Sequence, residues 1–357
     1  MNKIRPFFCL IAVLCFFASN AHSKEQSCDT LSGCHCNSPD PSPAGIMIGH
    51  PHPAKTWMLS YRYMLMGMSG VNQGTQPVDN AIVFQSYLMS PEKMTMNMHM
   101  LMLMYGFTNR FSVMAMLNFT HSNMSMTMPE GVSHMHTSAD ASPHSHGNHH
   151  HSMGFGDTKL YALFALIKTQ TTTFTLSGGV SIPTGQFNLS GESGSMFAGS
   201  HLPYAMQAGS GTVDFMPSLT FLKTHSDFTY SFQATSTIRP FYNKKTYNLG
   251  NEFTLNAWTA YELWSWMSVS VRAEGTISGK IKGNDKLLFS VLEPSADAQN
   301  YGGHRLSSFL GINFHILKGI LPKQRLSLEG GIPVYQNLNG IQQPSKFNIN
   351  IGYGVTF

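Results

Sequence analysis

The chain has 357 residues, a formal net charge of +4 and only 11% charged residues, less than half of the ~25% usual in soluble domains. So small a charge gives no reason to expect nucleic acid as a partner. Past the first two dozen residues no stretch of about 20 apolar residues occurs, which argues against a spanning helix; low charge without such a helix suits strands closed into a barrel whose outer face meets lipid.

Residues 1–23 read as a secretory signal peptide. Lys3 and Arg5 precede an apolar run at 7–18, and small residues offer a cleavage point near Ala21 or Ser23. A segment at 24–54 follows and is expected on the periplasmic side, either as a plug of the barrel or as a metal-binding stretch. Its "CDTLSGCHCNS" holds Cys28, Cys34, His35 and Cys36 without the paired spacing of a structural zinc site. One disulfide and one free thiol are expected there. "GHPHP" adds His50 and His52, held extended by the prolines that follow them.

From residue 55 the chain repeats one signal, period-two alternation of apolar and polar residues. Twelve strands are predicted, near 55–68, 94–106, 109–122, 153–168, 172–184, 209–223, 227–239, 247–262, 265–279, 303–317, 322–334 and 346–357. Long and short connections alternate: 69–93 is long, 106–109 short, 123–152 long, 169–171 short. Outer-membrane barrels have long external loops, short periplasmic turns and an even strand number. The last strand, "FNINIGYGVTF", alternates strictly and ends on Phe357, like the closing strand of bacterial outer-membrane barrels. The fold class expected is therefore all-β, a transmembrane antiparallel barrel of about twelve strands over 55–357. The parity opposite the apolar one carries Arg62, Arg110, Lys159, Glu252, Glu262, Arg272, Glu274, Arg305, Arg325 and Glu329. The lumen is thus expected to be polar, and narrower than that of a general porin.

"MTMNMHMLMLMYGF" places Met94, Met96, Met98, Met100, Met102 and Met104 on one parity. Leu101, Leu103 and Tyr105 suit lipid, so these methionines are expected inside. Met58, Met64 and Met66 share a parity with Ser60 and Arg62, and Met114 and Met116 share one with Ser112 and Asn118. Of the 24 methionines, 18 lie between Met47 and Met135. Three readings fit such a patch. It could be adaptable packing against a plug, a greasy path for an aromatic or lipid solute, or a ladder of soft thioether ligands that selects Cu(I). "SHMHTSADASPHSHGNHHHSM" supplies His134, His136, His144, His146, His149, His150 and His151 in a loop placed outside the cell, a compositional metal-binding signal. Histidine suits the oxidised copper ion and thioether the reduced one.

Several stretches together resemble a bacterial outer-membrane family commonly labelled transporter, near the phenol-degradation meta-pathway type of barrel. They are "GHPHPAKTWMLSYRYMLMGMSG", "MTMNMHMLMLMYGFTNRFSVMAML", "GFGDTKLYAL", "SIPTGQFN", "LPYAMQAGSGTVDFMPSLTF" and "GIPVYQNLNG". The likeness runs from about residue 45 to 357. It implies a transport barrel, and its Met-rich branch implies copper or heavy-metal handling. The leading expectation is a barrel that binds or transports copper as cargo, with no resident cofactor. Its wall ligands would be Met58, Met64, Met66, Met94, Met96, Met98, Met100, Met102, Met104, Met114 and Met116. The seven loop histidines would act as an outer trap, and Cys34, His35 and Cys36 would lie on the periplasmic side. The alternative is a channel for small hydrophobic or aromatic solutes. Expected partners are outer-membrane lipid, the ion or solute and, for a metal, a periplasmic metal carrier. An enzyme is not expected, because "GESGS" at 191–195 departs from the GxSxG order and lacks a strand-to-helix setting.

Overall fold

The computed structural model of the chain describes residues 40–129, 149–191, 201–316 and 323–357. Among them, twelve strands form the wall: Trp57–Ser69 (β1), Ser90–Thr108 (β2), Phe111–Thr127 (β3), Thr158–Lys168 (β4), Thr172–Ile182 (β5), Asp214–His225 (β6), Phe228–Thr237 (β7), Glu252–Trp264 (β8), Met267–Ser278 (β9), Gly303–Ile316 (β10), Gln324–Gln342 (β11) and Ser345–Thr356 (β12). Each pairs antiparallel with its neighbours in sequence, and β12 returns to pair with β1. The barrel is closed, and reciprocal bonds finish the seam: Trp57 N–H to the Phe357 carbonyl at 2.7 Å, and Phe357 N–H to that of Trp57 at 2.9 Å. Closure matters because an unpaired backbone group in hydrocarbon costs several kcal/mol.

The predicted strand count holds, with changes in extent. β3 runs on to Thr127, and the segment His149–Phe155 pairs with its upper half, Phe119 to Ser125, so that the crossing predicted to begin at 153 starts at 149, in what was expected as loop. The lower half of β3 pairs with β4. His149–Phe155 and β4 are thus one crossing, interrupted at Gly156 and Asp157. The Asp157 carboxylate accepts from Gly185 N (2.9 Å), Ser210 N (2.7 Å) and Ser210 Oγ (2.7 Å), so the break is tied down by a polar knot. A Cβ on Gly156 would meet Asn118 Nδ2 at 2.1 Å and the Ala208 carbonyl oxygen at 2.9 Å, so a larger residue there would have to push its neighbours aside. β11 extends to Gln342 rather than 334. Pro333 sits beside the register shift against β10, two residues past the last β12 partner at Gly331, where its missing N–H costs no ladder bond to β12.

The short turns after β2, β4, β6 and β8 lie at the end where β1 begins and β12 finishes, the periplasmic end of outer-membrane barrels. An aromatic girdle rings it: Trp57, Tyr105, Phe107 and Phe111 touch in series, and Trp264, Trp266 and Phe314 stack. Above it, outward residues are apolar and exposed, among them Leu59, Leu101, Leu103, Leu117, Leu160 and Leu176. The apolar band ends upward at a ring of polar contacts. There Tyr61 Oη lies 2.7 Å from His99 Nδ1, Tyr63 Oη donates to Asn97 Oδ1 (2.6 Å), and His121 meets His151 at 2.8 Å. On β3 the band spans Phe111 to Phe119, close to the 9–11 residues a tilted strand needs to cross a bilayer.

Residues 40–54 run inside the barrel as a strap. Asp40 pairs with Arg325, whose Nη2 also donates to the Ser42 carbonyl at 2.7 Å. Gly45 N–H donates to Glu329 Oε2 (2.7 Å), and Arg62 donates to the Ile46 carbonyl (3.0 Å). Gln233 reaches the Ile48 carbonyl (2.6 Å), and His52 N–H donates to Ser112 Oγ (2.9 Å). An irregular segment has no ladder of its own, so its backbone is satisfied by inward polar side chains. Burial alone would raise the Asp40 carboxyl, but Arg325 and His50 hold it well below the usual range. For His52, burial, with His50 beside it, pushes the imidazole down to about 4.

Candidate functional site: a methionine wall in the lumen

The pairing of β1, β2 and β3 turns the methionine parity into rows across the wall. From the periplasmic end upward the rows read Met58–Met104–Met114, Ser60–Met102–Met116, Arg62–Met100–Asn118, Met64–Met98–Thr120, Met66–Met96–Ser122 and Met68–Met94–Met124. Directly opposed residues have Cβ atoms about 4.5–5.5 Å apart. Ten residues separate the first row from the last, roughly 30 Å along a strand. Met100, Met102, Met104, Met114 and Met116 are at most 5% exposed, whereas Leu101, Leu103 and Leu117 on the other parity are 42–50% exposed.

Two packed clusters share this wall. The lower one holds Met100, Met102, Met104, Met114 and Met116 with Ile48 of the strap, Tyr161, Leu163 and Met216; Met47, Met58, Met64 and Met98 pack against it. Tyr161 Oη donates to Met216 Sδ at 3.2 Å. The upper one holds Met89, Met94, Met124, Met126, Leu202 and Met206, with Met68 and Met96 against it. Every one of the eleven predicted wall methionines faces inward, and Met47, Met68, Met89, Met124, Met126, Met206 and Met216 join them. Met124 and Met126, with Met128, are expected from the sequence to extend the patch past the predicted end of the third strand, and the strand runs on through the first two of them. Met47 and Met89, on the strap and a loop, and Met206, in a short turn of helix, carry no alternation that could reveal them; Met68 closes the first predicted strand, and Met216 stands alone on its own strand.

The opposite wall is charged. Arg272 on β9 donates from Nε to Glu329 Oε1 (2.8 Å), from Nη2 to Oε2 (3.1 Å), and from Nη1 to Asn256 (2.7 Å) and Glu274. Its guanidinium also stacks on Phe309, 3.8 Å from the ring centre. A cavity of about 440 Å³ lies between the walls, with Met64, Met66, Met98 and Met100 on one side and Arg272, Glu274, Arg305 and Glu252 on the other. Met47, Ile48 and Gly45 of the strap border it as well. The lumen cavity therefore has one soft, neutral face and one polar face.

The predicted histidines divide. His150 turns inward and is 3% exposed, its Nε2 3.2 Å from the Glu293 carboxylate. His151 points outward to His121, and His149 is exposed. By the two-residue period of the strand they sit on, His149 and His151 take its outer face and His150 its inner face. His134, His136, His144 and His146 lie outside the described residues, as do Cys34, His35 and Cys36. Among the described residues, no group of three or more His, Cys, Asp or Glu side chains is placed to hold a metal ion. Among the described residues, a soft-metal site would therefore draw on thioethers.

No protein-family model and no curated relative matches the chain. Solved structures do. The COG4313 outer membrane channel from Pseudomonas putida F1 overlays with a TM-score of 0.58 at 13% identity, covering 86% of this chain and 97% of that one. The TodX deltaS2S3 mutant monoaromatic hydrocarbon channel and the KdgM porin overlay with TM-scores of 0.44 and 0.39 at 10% and 9% identity; the first covers 86% of this chain and 91% of its own, the second 84% and 99%. Scores that low carry no argument. At 13% identity the first shows the fold alone: the chain is a closed twelve-stranded outer-membrane β-barrel, similar in fold to a known outer-membrane channel.

Proposed function

We propose that the chain forms an outer-membrane conduit for small hydrophobic or aromatic solutes, with the methionine wall as its track. One observation carries the reading. The inward methionines form an unbroken stripe from the Met58–Met104–Met114 row to the Met68–Met94–Met124 row, past a lumen cavity. An apolar solute crossing a polar porin has nothing to replace its water-shedding gain; a thioether stripe supplies adaptable apolar contact and favourable sulfur–aromatic contacts along the path. The charged wall and the strap narrow the space beside it. A size-exclusion series in vesicles tests this. With Met64, Met66, Met98 and Met100 changed to Leu, passage of a monoaromatic solute is expected to persist; with the same four changed to Ser it is expected to fall several-fold. Equal passage in both would remove the reading.

A second reading has its own observation: three methionines stand side by side in one row at each end of the stripe. Adjacent thioethers suit a soft ion such as Cu(I), and a ladder of weak neutral ligands suits its passage. The same Leu series separates the two, because leucine keeps apolar contact and removes every sulfur. Metal passage should vanish in it while aromatic passage remains.

A further inference from the structure

The uppermost methionine row does not stop at β3. The register continues from Met124 to His150, so Met68, Met94, Met124 and His150 stand side by side on four adjacent crossings. All four turn inward. Met94, Met124 and His150 are 3%, 2% and 3% exposed, and Met68 is half-buried. The wall is concave on this side, so inward tips converge more closely than their Cβ atoms. Three further facts set this row apart from ordinary methionine packing. A single imidazole is built into it. Behind the ring stands Glu293, itself 2% exposed, with Oε1 3.2 Å from Nε2. Its other oxygen, Oε2, accepts no hydrogen bond among the described residues. Packing alone gives no reason to bury a histidine–carboxylate pair against thioethers, since desolvating that pair is costly.

We propose that Met94, Met124 and His150, flanked by Met68, form a binding site for a soft monovalent cation, Cu(I) or Ag(I), at the outer mouth of the barrel. The site rests on the soft-metal reading of the methionine wall and gives it a location. His150 offers a metal a ring nitrogen, and the Glu293 carboxylate, 3.2 Å from Nε2, stands where it can orient the ring and balance the charge, as carboxylates behind metal-bound histidines do. The charge balances: neutral thioethers and a neutral imidazole leave one buried carboxylate, which a monovalent cation offsets. Two thioethers and one imidazole suit Cu(I), whereas Zn(II) prefers imidazole, thiolate and carboxylate. The position is also suitable. Met94 and Met124 lie beyond the polar ring at His99 and His121 that ends the lipid-facing band, so the site belongs to the extracellular extension of the barrel. Leu202 and Met206 of the loop above close it over.

The test uses the full barrel in detergent, with Cys28, Cys34 and Cys36 changed to Ser so that thiolates do not compete. Ag(I) is titrated calorimetrically in chloride-free buffer. The wild-type row should bind one ion tightly. His150→Gln and the pair Met94→Leu with Met124→Leu should each weaken that binding on the order of tenfold or more, and Glu293→Gln about tenfold. Met153→Leu, 60% exposed on the outer face of the strand that carries His150, should leave it unchanged, and leucines at Met58, Met104 and Met114 probe the other three-methionine row. Cu(I) X-ray absorption at one equivalent should show mixed sulfur and nitrogen neighbours that become sulfur alone in His150→Gln; this readout holds even if the double methionine variant folds poorly. Tight binding that survives the His150 and Met94/Met124 changes but is lost with the Met58 row overturns this site and leaves the soft-metal wall standing. No silver binding by the wild-type barrel removes both.

Discussion

The inner faces of β1–β3 and of β8–β11 obey the same alternation and differ in everything else. Both turn every second residue to the lumen, yet one presents thioethers in rows and the other a guanidinium held by two glutamates, an asparagine and a phenyl ring. Alternation decides which residues see the lumen; residue type decides what the lumen can do. The strap shows the difference within one stretch of chain. Gly45 is held through its backbone by Glu329, while Met47 and Ile48 bury their side chains against the methionines. Polar groups fix the strap in place on one side, and apolar contact without directional demands meets it on the other.

The two walls should fail differently. Glu329→Ala leaves Arg272 buried without its bidentate partner and Gly45 N–H without an acceptor. A loss of about 3–5 kcal/mol is expected, read as a lower temperature for the heat-induced mobility shift of the folded barrel on a gel. On the other wall, Met114→Ala opens a cavity at a position 0% exposed and should cost about 2–5 kcal/mol. Met114→Leu keeps the volume and should cost less than about 1.5 kcal/mol. If alanine and leucine cost the same, the methionine wall is not tightly packed.

The smallest effect concerns pH and the strap. The His52 imidazole sits at about 4 in the folded barrel, against 6.5 for the free group, so the folded state favours the neutral ring. Its contribution to docking is fully present above 6.5 and is lost as pH falls from there towards 4. Asp40 does not titrate in that window, because Arg325 and His50 hold its carboxyl well below the usual range. Hydrogen exchange at the His52 amide, corrected for intrinsic rates, should accelerate between pH 7 and 4. In His52→Gln that acceleration should disappear.

Much of this was legible in the sequence because a strand with one face to lipid cannot hide its parity. Met94 to Met104 on even positions, and Leu101 and Leu103 between them, announce which side each takes. What stayed hidden did so for physical reasons. "HHHS" reads as a polar loop, yet residues 149–152 extend the β3 ladder above the apolar band, where no apolar face is needed. The Arg272–Glu329 pair joins residues 57 apart, and nothing local to either marks the other. The strap has no periodicity at all, since its partners are inward side chains scattered over the barrel.

Nitroxide scanning in vesicles tests the central geometry most directly. Single cysteines at 64, 66 and 98, where methionines border the cavity, are compared with single cysteines at 59, 101 and 103, in a background with Cys28, Cys34 and Cys36 changed to Ser. Labels at 59, 101 and 103 should relax readily with lipid-dissolved oxygen and hardly at all with a water-soluble nickel chelate, and labels at 64, 66 and 98 should show little oxygen access. Strong oxygen access at 64, 66 and 98 would mean that the sulfurs look into the bilayer, and neither a hydrophobic track nor a soft-metal site could then stand in this lumen.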